Sequence, residues 1–236
     1  MKAIILAAGV SRRLYPHTYN IPKCLLEVGG KPILQHQLSA LEEYEINEII
    51  IINGYHREML YNYIEEYFPN LNIMYITNHH YFETNTAYSV YLARRILASD
   101  DFILMNADVV YPLELFAQVL QSDFKTALAV DVKPCGREEV KVIDGGGNKI
   151  VDIGKNLIES QCLGEFIGIA KLSKSFNSFF CQSLENLVEA GGKNDYFEAA
   201  IQPLLEKTEV YYEDVSEFPC IEIDFIEDLE YARKLF

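Results

Sequence analysis

Short apolar runs alternate with amphipathic segments of about a dozen residues through the first half of the chain. The apolar runs have the length of buried strands and lie at residues 2–6, 48–52, 72–76 and 101–105. Apolar residues recur at helical spacing in the segments between them, at residues 32–44, 56–67 and 86–97. Strands and helices in this order pair through right-handed crossovers. The pattern therefore predicts an α/β fold, with a mostly parallel central sheet and helices on both faces.

The second half of the chain predicts antiparallel additions to this sheet. After a strand at residues 127–131, two runs at 140–143 and 149–153 flank Asp144-Gly-Gly-Gly-Asn148, a sequence typical of a hairpin turn. Further strands are expected at residues 165–171, 209–215 and 220–223, and helices at 174–189, 196–205 and the closing segment. No linker or repeat interrupts the chain, so residues 1–236 are interpreted as one domain with a mixed sheet and a hairpin-and-helix elaboration.

Charge, hydropathy and cysteine usage exclude several classes of protein. A formal net charge of -15 disfavours nucleic-acid binding, which needs a basic face. No apolar run reaches the roughly 18 residues of a membrane span, and no secretory leader is recognisable. The 5 cysteines are odd in number and contain no C-x-x-C pair, which favours reduced thiols in the cytoplasm. We therefore expect a cytoplasmic protein without a membrane or nucleic-acid partner.

A group of cations follows the first predicted strand, although the protein is acidic. The strand ends in Leu6-Ala7-Ala8-Gly9, where small residues would let a ligand approach the backbone N–H groups. Arg12, Arg13 and Lys23 come next along an irregular segment. An ordinary turn with solvated cations is the alternative, but the combined spacing favours a site for a polyanion.

This opening segment resembles that of the nucleotidyltransferases, which join a nucleoside triphosphate to a phosphorylated acceptor. Their pattern, L-A-A-G-x-G-x-R-L-x-P-L-T followed by P-K-x-L and G-K-P, is matched between residues 6 and 32, with Ser11 replacing the second glycine and His17 a leucine. The similarity continues at N-T-A-Y-S-V-Y-L-A (85–93), N-A-D (106–108), G-E-F-I-G-I-A (164–170) and I-E-I-D (221–224). Together these motifs are most similar to those of the bacterial CTP:phosphocholine cytidylyltransferases. This resemblance implies a Rossmann-like fold and a role in cell-surface polysaccharide biosynthesis.

The resemblance implies Mg²⁺ held by two aspartates, one after the fourth strand and one near the end of the chain. Asp108 and Asp224 match these positions, and one or two carboxylates with phosphate oxygens suit magnesium. Each has an alternative role, because Asp108 could start a turn and Asp224 could cap a helix with Glu227 as its capping-box partner. Their common place at strand ends favours the metal.

The resemblance assigns some of the remaining site residues, while the aromatic candidates and Glu198 are chosen by chemistry, as an aromatic face and counter-charge for a cationic acceptor, with core packing as the alternative for the aromatics. Arg13 and Lys23 are expected to contact the triphosphate, while Arg12 is expected to point to solvent. The nucleotide-binding set is Leu6, Ala7, Ala8, Gly9, Ser11, Asn85, Thr86 and Ser89, of which the last three open a helix and could equally be capping residues. The acceptor-binding set is Lys155, Glu165, Tyr88, Tyr196 and Glu198, with Phe197 as a further aromatic candidate.

These expectations define an enzyme that transfers CMP from CTP to a small phosphorylated alcohol or amine, phosphocholine first, and releases pyrophosphate. Residues 1–131 would then be the nucleotide-binding half, and residues 132–236 the half that binds the acceptor and supplies the second metal ligand. Two alternatives are left open, a sugar-1-phosphate nucleotidylyltransferase and a catalytically silent nucleotide-binding module. All four charged residues expected for catalysis are present, which argues against the catalytically silent module; they are Arg13, Lys23, Asp108 and Asp224. A homodimer is among the expected partners, and the acceptors in question are phosphocholine, phosphoethanolamine, an aminoalkylphosphonate, an amino-acid phosphate and a sugar phosphate.

Overall fold

A mixed sheet of nine strands runs through the centre of the molecule. The computed structural model describes residues 1–236. The strands are β1 (Lys2–Ala7), β2 (Glu27–Val28), β3 (Lys31–Pro32), β4 (Glu48–Asn53), β5 (Asn72–Thr77), β6 (Phe102–Asn106), β7 (Val109–Val110), β8 (Ala127–Asp131), β9 (Lys141–Asp144), β10 (Ile150–Gly154), β11 (Gly164–Leu172), β12 (Tyr211–Asp214) and β13 (Ile221–Glu222). The α-helices are α1 (Ile33–Glu43), α2 (Arg57–Tyr67), α3 (Thr86–Leu97), α4 (Leu113–Leu120), α5 (Lys174–Glu189), α6 (Glu198–Ile201) and α7 (Ile226–Leu235).

The strand order of the sheet is β10-β9-β11-β6-β1-β4-β5, with β8 on the other side of β11 and β12 beside β8. Strands β6, β1, β4 and β5 pair in parallel, whereas β11 runs antiparallel to β6, β8 and β9. Since β1 lies between two parallel neighbours, its carboxyl end faces the crevice where ligands of such sheets bind. The predicted α/β fold with a mixed sheet is confirmed.

The side chains of β1 show how the sheet divides the core. Ile4 and Leu6 belong to one buried cluster, which α3 and α5 cover, while Ala3, Ile5 and Ala7 belong to another, which α1, α2 and α4 cover. Alternation along a strand explains this division, because successive side chains point to opposite faces. A third cluster packs α7 against the segment that follows β1. No helix of the structure has both the length and the apolar character needed to cross a bilayer.

Three features differ from the sequence-based expectations. Helix α4 was not expected, and the helix expected at residues 196–205 is shorter, because α6 passes at Gln202 into a 3₁₀ turn that contains Pro203. The short ribbon of β7 and β13 was also not foreseen as a pair. This ribbon joins the chain just after β6 to the chain just before α7.

Candidate active site

A cleft of about 820 Å³ opens at the carboxyl ends of β1 and β6. Its volume lies within the range of small-molecule sites. The residues of the expected site that line it are Leu6, Ala8, Gly9, Ser11, Arg13, Lys23, Asn85, Thr86, Ser89, Asp108, Lys155, Glu165, Tyr196, Glu198 and Asp224. The structure therefore brings together residues from both halves of the chain.

Ala7 and Tyr88 do not line this cleft. Ala7 is turned to the opposite face of the sheet, in the cluster covered by α1 and α2. Tyr88 stacks on Tyr91 along α3 and meets His80 edge-on. The aromatic candidate Phe197 is fully buried, where it packs against Phe166 and Phe180. Strand alternation accounts for Ala7 and core packing for Phe197, while Tyr88 lies half-buried on α3 outside the cleft lining.

The loop after β1 turns sharply at Ser11, which has a φ of 54°. This left-handed conformation is one that glycine adopts freely, so it accounts for the glycine in the family pattern at this position. The Ser11 carbonyl accepts hydrogen bonds from the Thr18 hydroxyl at 2.9 Å and from the Leu14 N–H at 3.1 Å. The loop is thereby closed on itself and directs Arg12 and Arg13 to the cleft.

The two arginines lie against different aromatic rings. The Arg13 guanidinium lies 5.1 Å from the centre of the Phe225 ring and donates to Asp224 at 3.1 Å. Arg12 is exposed, but instead of pointing only to solvent it lines the rim of the cleft, where its guanidinium lies 5.3 Å from the centre of the Phe82 ring. No carboxylate lies within 4.0 Å of Arg12, so its charge is unpaired.

Asp108 and Asp224 converge because β7 and β13 pair in antiparallel register. The ribbon continues beyond the strands, since the Ile223 N–H donates to the Asp108 carbonyl at 3.0 Å. Asp224 does not cap α7, which begins at Ile226. The carboxylate of Asp228 accepts instead from the N–H groups of Asp224, at 3.0 Å, and of Phe225, at 2.7 Å. The alternative of Asp224 as a helix cap is therefore wrong.

Lys23 connects the two aspartates. Its ammonium donates to Asp108 at 2.9 Å and to Asp224 at 2.8 Å, and its side chain is only 10% exposed. Burial lowers the pKa of Lys23, but the two carboxylates outweigh burial and raise it above its ordinary value. Burial likewise opposes ionisation of Asp224, yet Lys23 and Arg13 hold its pKa below the ordinary value. Lys23 is therefore a fixed positive charge between two carboxylates.

Glu222 adds a third carboxylate that the sequence reasoning missed. Ligand atoms of Asp108, Glu222 and Asp224 all lie within 4.8 Å of one another. Burial against the cleft wall and the two aspartates raise the pKa of Glu222 above its ordinary value, although its side chain stays accessible from the cleft. Glu222 lies two residues before Asp224, and this spacing along an extended segment could have indicated it.

These carboxylates suit a divalent cation. Asp108 Oδ1 is buried and accepts no hydrogen bond, so one carboxylate oxygen of the cluster has no partner. A set of carboxylate oxygens is the donor type that hard cations such as Mg²⁺ take. The Lys23 ammonium already lies between two of these carboxylates, which shows that the cluster accommodates positive charge.

The first turn of α3 forms another wall of the cleft. Asn85 is the N-cap of α3, and its side chain accepts from the Thr86 N–H at 2.8 Å. The Thr86 hydroxyl accepts from the Phe197 N–H, at 3.1 Å. Ser89 is 5% exposed and already bonded to Asn78 and to the Asn85 carbonyl. All three side chains thus have hydrogen-bond partners within the protein.

The far end of the cleft combines cations, carboxylates and one aromatic ring. Lys155 Nζ lies 4.2 Å from the centre of the Tyr196 ring. Glu198 is 4% exposed, and its Oε2 has no hydrogen-bond partner. Burial raises the pKa of Glu198 to about 7, although Lys155 opposes the shift. This buried carboxylate oxygen is therefore free to accept from a ligand.

Glu165 is already paired at this end of the cleft. Lys133 Nζ lies 2.8 Å from Glu165 and 2.8 Å from Asp131. Burial raises the pKa of Glu165, and the ion pair with Lys133 offsets only part of the effect. Sequence reasoning missed Lys133, whose position two residues beyond β8 was the available signal.

Comparisons with known proteins agree with this geometry. The family model of nucleotidyl transferases matches residues 2–139. The choline-phosphate cytidylyltransferase of Streptococcus pneumoniae is 30% identical over 97% of this chain and 95% of its own length. The CTP:phosphoglutamine cytidylyltransferase of Campylobacter jejuni is 29% identical over 98% of both chains.

The fold comparison gives the same result. A solved structure of the CTP:phosphocholine cytidylyltransferase from Streptococcus pneumoniae superposes with a TM-score of 0.83 at 25% identity, over 99% of this chain and 98% of that one. Family model, sequence relative and structure agree over most of the chain. The chain therefore belongs to the nucleotidyl transferase family, and it is an enzyme of that class.

Proposed function

We propose that this enzyme transfers CMP from CTP to a small phosphorylated alcohol or amine of the phosphocholine type, with release of pyrophosphate. The observation that carries the proposal is the convergence of Asp108, Asp224, Lys23 and Arg13 in one cleft. The choice of CTP is supported by the two similar cytidylyltransferases, which are named for CTP or for cytidylyl transfer onto phosphorylated acceptors.

The transfer joins two anions. A phosphate oxygen of the acceptor forms a bond to the α-phosphorus of CTP, and the bond to the bridging oxygen breaks as pyrophosphate leaves with the electron pair. A phosphate monoester is already ionised near neutral pH, so no general base is required. Catalysis then consists of positioning and charge neutralisation. A cation about 4 Å from a phosphate oxygen contributes up to roughly 4 kcal/mol at an effective dielectric of 20.

Arg13, Lys23 and the carboxylate cluster each have a proposed task in this reaction. Arg13 and Lys23 bind the triphosphate beside the backbone of Leu6, Ala8 and Gly9. Asp108 and Asp224, with Glu222 beside them, would hold Mg²⁺. A bound Mg²⁺ supplies charge neutralisation to the triphosphate oxygens and fixes their orientation. In this arrangement, residues 1–131 bind the nucleotide and residues 132–236 bind the acceptor and supply Asp224.

The acceptor is proposed to lie at the far end of the cleft. Lys155 is the cation for the acceptor phosphate, because it has no carboxylate within 4.0 Å and lies over the Tyr196 ring. Tyr196 and Glu198 offer an aromatic face and an unpartnered carboxylate to a cationic group on the acceptor. This chemistry fits a small ammonium-bearing phosphate better than a hydroxyl-rich sugar, which needs many neutral hydrogen-bond partners.

The thiols support a cytoplasmic location. All five cysteines are free in the structure, and Cys24 and Cys181 are buried. Proteins of oxidising compartments commonly pair such residues.

A pyrophosphate-release assay tests the proposal. CTP, UTP, dTTP, ATP and GTP are each combined with phosphocholine, phosphoethanolamine, an amino-acid phosphate or glucose-1-phosphate, and Mg²⁺ is included or removed by chelation. We expect turnover with CTP and a small amine phosphate, and loss of turnover after chelation. A preference for glucose-1-phosphate with UTP or dTTP would contradict the acceptor assignment, and no turnover with any pair would contradict catalysis by this cleft.

A further inference from the structure

We propose that Gln37, on α1, is a positioning residue that holds the loop carrying Asp108 in its binding conformation. This inference rests on the proposed role of Asp108. Gln37 lies behind the loop and does not line the cleft.

A single amide group joins both ends of the loop. Gln37 Nε2 donates to the Asn106 carbonyl at 2.8 Å and to the Val109 carbonyl at 3.1 Å. These two residues are the end of β6 and the start of β7, so the bond pair spans Ala107 and Asp108. The Ala107 N–H also donates to the Leu6 carbonyl at 3.2 Å. Gln37 thus fixes the turn from the opposite side to the cleft.

Burial of Gln37 indicates a specific role. Its side chain is fully buried on the apolar face of α1, among Leu34, Leu38 and Leu41. Its Oε1 has no hydrogen-bond partner, and an unsatisfied buried oxygen is unfavourable. Packing alone would be served better by leucine or methionine at this position. The two N–H donors are what such residues lack, and the two loop carbonyls use both of them.

The orientation of Asp108 depends on this support. Its carbonyl accepts from Ile223 and its Oδ2 accepts from Lys23, so backbone and side chain are held on the side of the ribbon. On the side of α1, the loop is held by the Gln37 hydrogen bonds to the Asn106 and Val109 carbonyls. Without these hydrogen bonds, we expect the Asp108 carboxylate to lose its fixed position beside Glu222 and Asp224. Groups that orient metal ligands in this indirect way typically account for about 10- to 100-fold in metal affinity.

The experiment compares Gln37→Met with Gln35→Met on the same helix. Gln35 Oε1 accepts from the Tyr63 hydroxyl at 2.7 Å, away from the cleft, so the control loses a hydrogen bond but no contact with the loop. Binding of Mn²⁺ alone is measured from its electron paramagnetic resonance signal, together with kcat, KM and the melting temperature. We expect Gln37→Met to weaken Mn²⁺ binding and lower kcat by about tenfold or more, while KM for the acceptor stays within about threefold. Gln35→Met should change none of these quantities beyond about twofold.

Gln37→Asn provides a second variant if the methionine variant does not fold. Asparagine keeps the N–H₂ group but has a shorter side chain, so it cannot reach both carbonyls. Unchanged Mn²⁺ affinity and kcat in a folded Gln37 variant would overturn the inference. Asp108→Asn separates this result from the proposed function: if that variant also binds Mn²⁺ normally, the metal assignment itself is wrong.

Discussion

Asp224 and Asp228 lie four residues apart at the start of α7, and the structure gives them different tasks. Asp228 accepts from two free N–H groups at the helix terminus, whereas Asp224 contacts Lys23 and Arg13. The family pattern indicated Asp224 but could not separate these tasks, because either residue has the chemistry of a cap.

Asp224→Asn should therefore remove most of the activity and cost little stability. The variant loses a negative charge that faces two cations. Because Asp224 is 37% exposed, we expect the free energy of unfolding to fall by less than about 1 kcal/mol. Asp228→Ala should instead cost about 1 kcal/mol, as the loss of a helix cap does. Turnover and denaturant unfolding are measured for both variants. A large loss of stability in Asp224→Asn would show that its main task is structural.

Arg13→Ala should reduce kcat/KM for CTP about tenfold or more, since Arg13 lines the cleft and is held there by its ion pair with Asp224. Arg12→Ala should change kcat/KM by less than about threefold, because Arg12 is exposed at the rim against Phe82. Steady-state kinetics of the two variants, with CTP as the varied substrate, test this difference in kcat/KM. Equal defects would show that Arg12 also contacts the triphosphate.

Glu198 should make stability depend on pH. Its folded pKa is raised to about 7, above its ordinary value, so the folded state binds more protons than the unfolded state between these two values. Stability should fall as the pH rises through this window and level off above about 7. Above pH 7, the free energy of unfolding should be lower than at acidic pH by up to about 3 kcal/mol.

Glu198→Gln should remove this slope and be more stable than the wild type at pH 8. Unfolding free energies of both proteins between pH 5 and pH 8 test this, with the exposed Glu189→Gln as the control. Parallel pH profiles for wild type and Glu198→Gln would show that the carboxylate finds a partner in solution.

Several site residues could be recognised from sequence because they sit at strand ends in a known motif. Lys23, Asp108 and Asp224 are of this kind. Tyr88 and Phe197 were candidates only as aromatics, and an aromatic side chain on a helix is equally suited to the core. Glu222 had one local signal, its place two residues before Asp224 on an extended segment, but the pairing that brings it to Asp108 joins distant segments and cannot be read locally.

The elements of the parallel sheet are the part of the fold that sequence patterns predict best. Strands β1, β4, β5 and β6 are continuous apolar runs bounded by polar or glycine residues, so their limits differ from expectation by only one residue. The β7–β13 ribbon has two residues in each strand, too few for a detectable period. Helix α4 has a short apolar sequence after Pro112, which periodicity alone does not distinguish from a strand.

Strand β11 contains a feature that is specific to its contact with β6. Gly168 has a φ of 78°, and a Cβ there would lie 2.5 Å from the Asn106 amide nitrogen. The pairing register of β11 with β8 shifts around this residue. Gly168 therefore lets the end of β6, just before the Asp108 loop, approach closely.

Gly168→Ala should destabilise the protein by about 2–4 kcal/mol, from the left-handed backbone together with overpacking. Gly146→Ala is the matched control, because Gly146 has a φ of 97° but no atom within 4 Å of the added carbon. The control should lose about 1–2 kcal/mol from the backbone alone. Denaturant unfolding measures both, and equal losses would show that Asn106 moves aside without cost.

At the scale of the whole molecule, the net charge of -15 acts against the folded state through self-repulsion. NaCl should raise the melting temperature slightly by screening. MgCl₂ at matched ionic strength should raise it further, by about 3 °C at ten times the dissociation constant, if the carboxylate cluster binds the ion. Asp108→Asn should abolish only the additional increase. An equal response of wild type and variant would mean that Mg²⁺ acts on the surface charge alone.

The pairing of β7 with β13 has a consequence for synthesis on the ribosome. Arg13 and Asp224, which form an ion pair in the cleft, are 211 positions apart in the chain. Strands β1, β4, β5 and β6 are all translated long before β13, so the parallel part of the sheet can assemble first. At about 5–20 residues per second, several seconds separate the translation of Asp108 from that of Asp224. A nascent chain that stops short of Asp224 lacks part of the carboxylate cluster, so the order of translation delays catalysis until the sheet has been made.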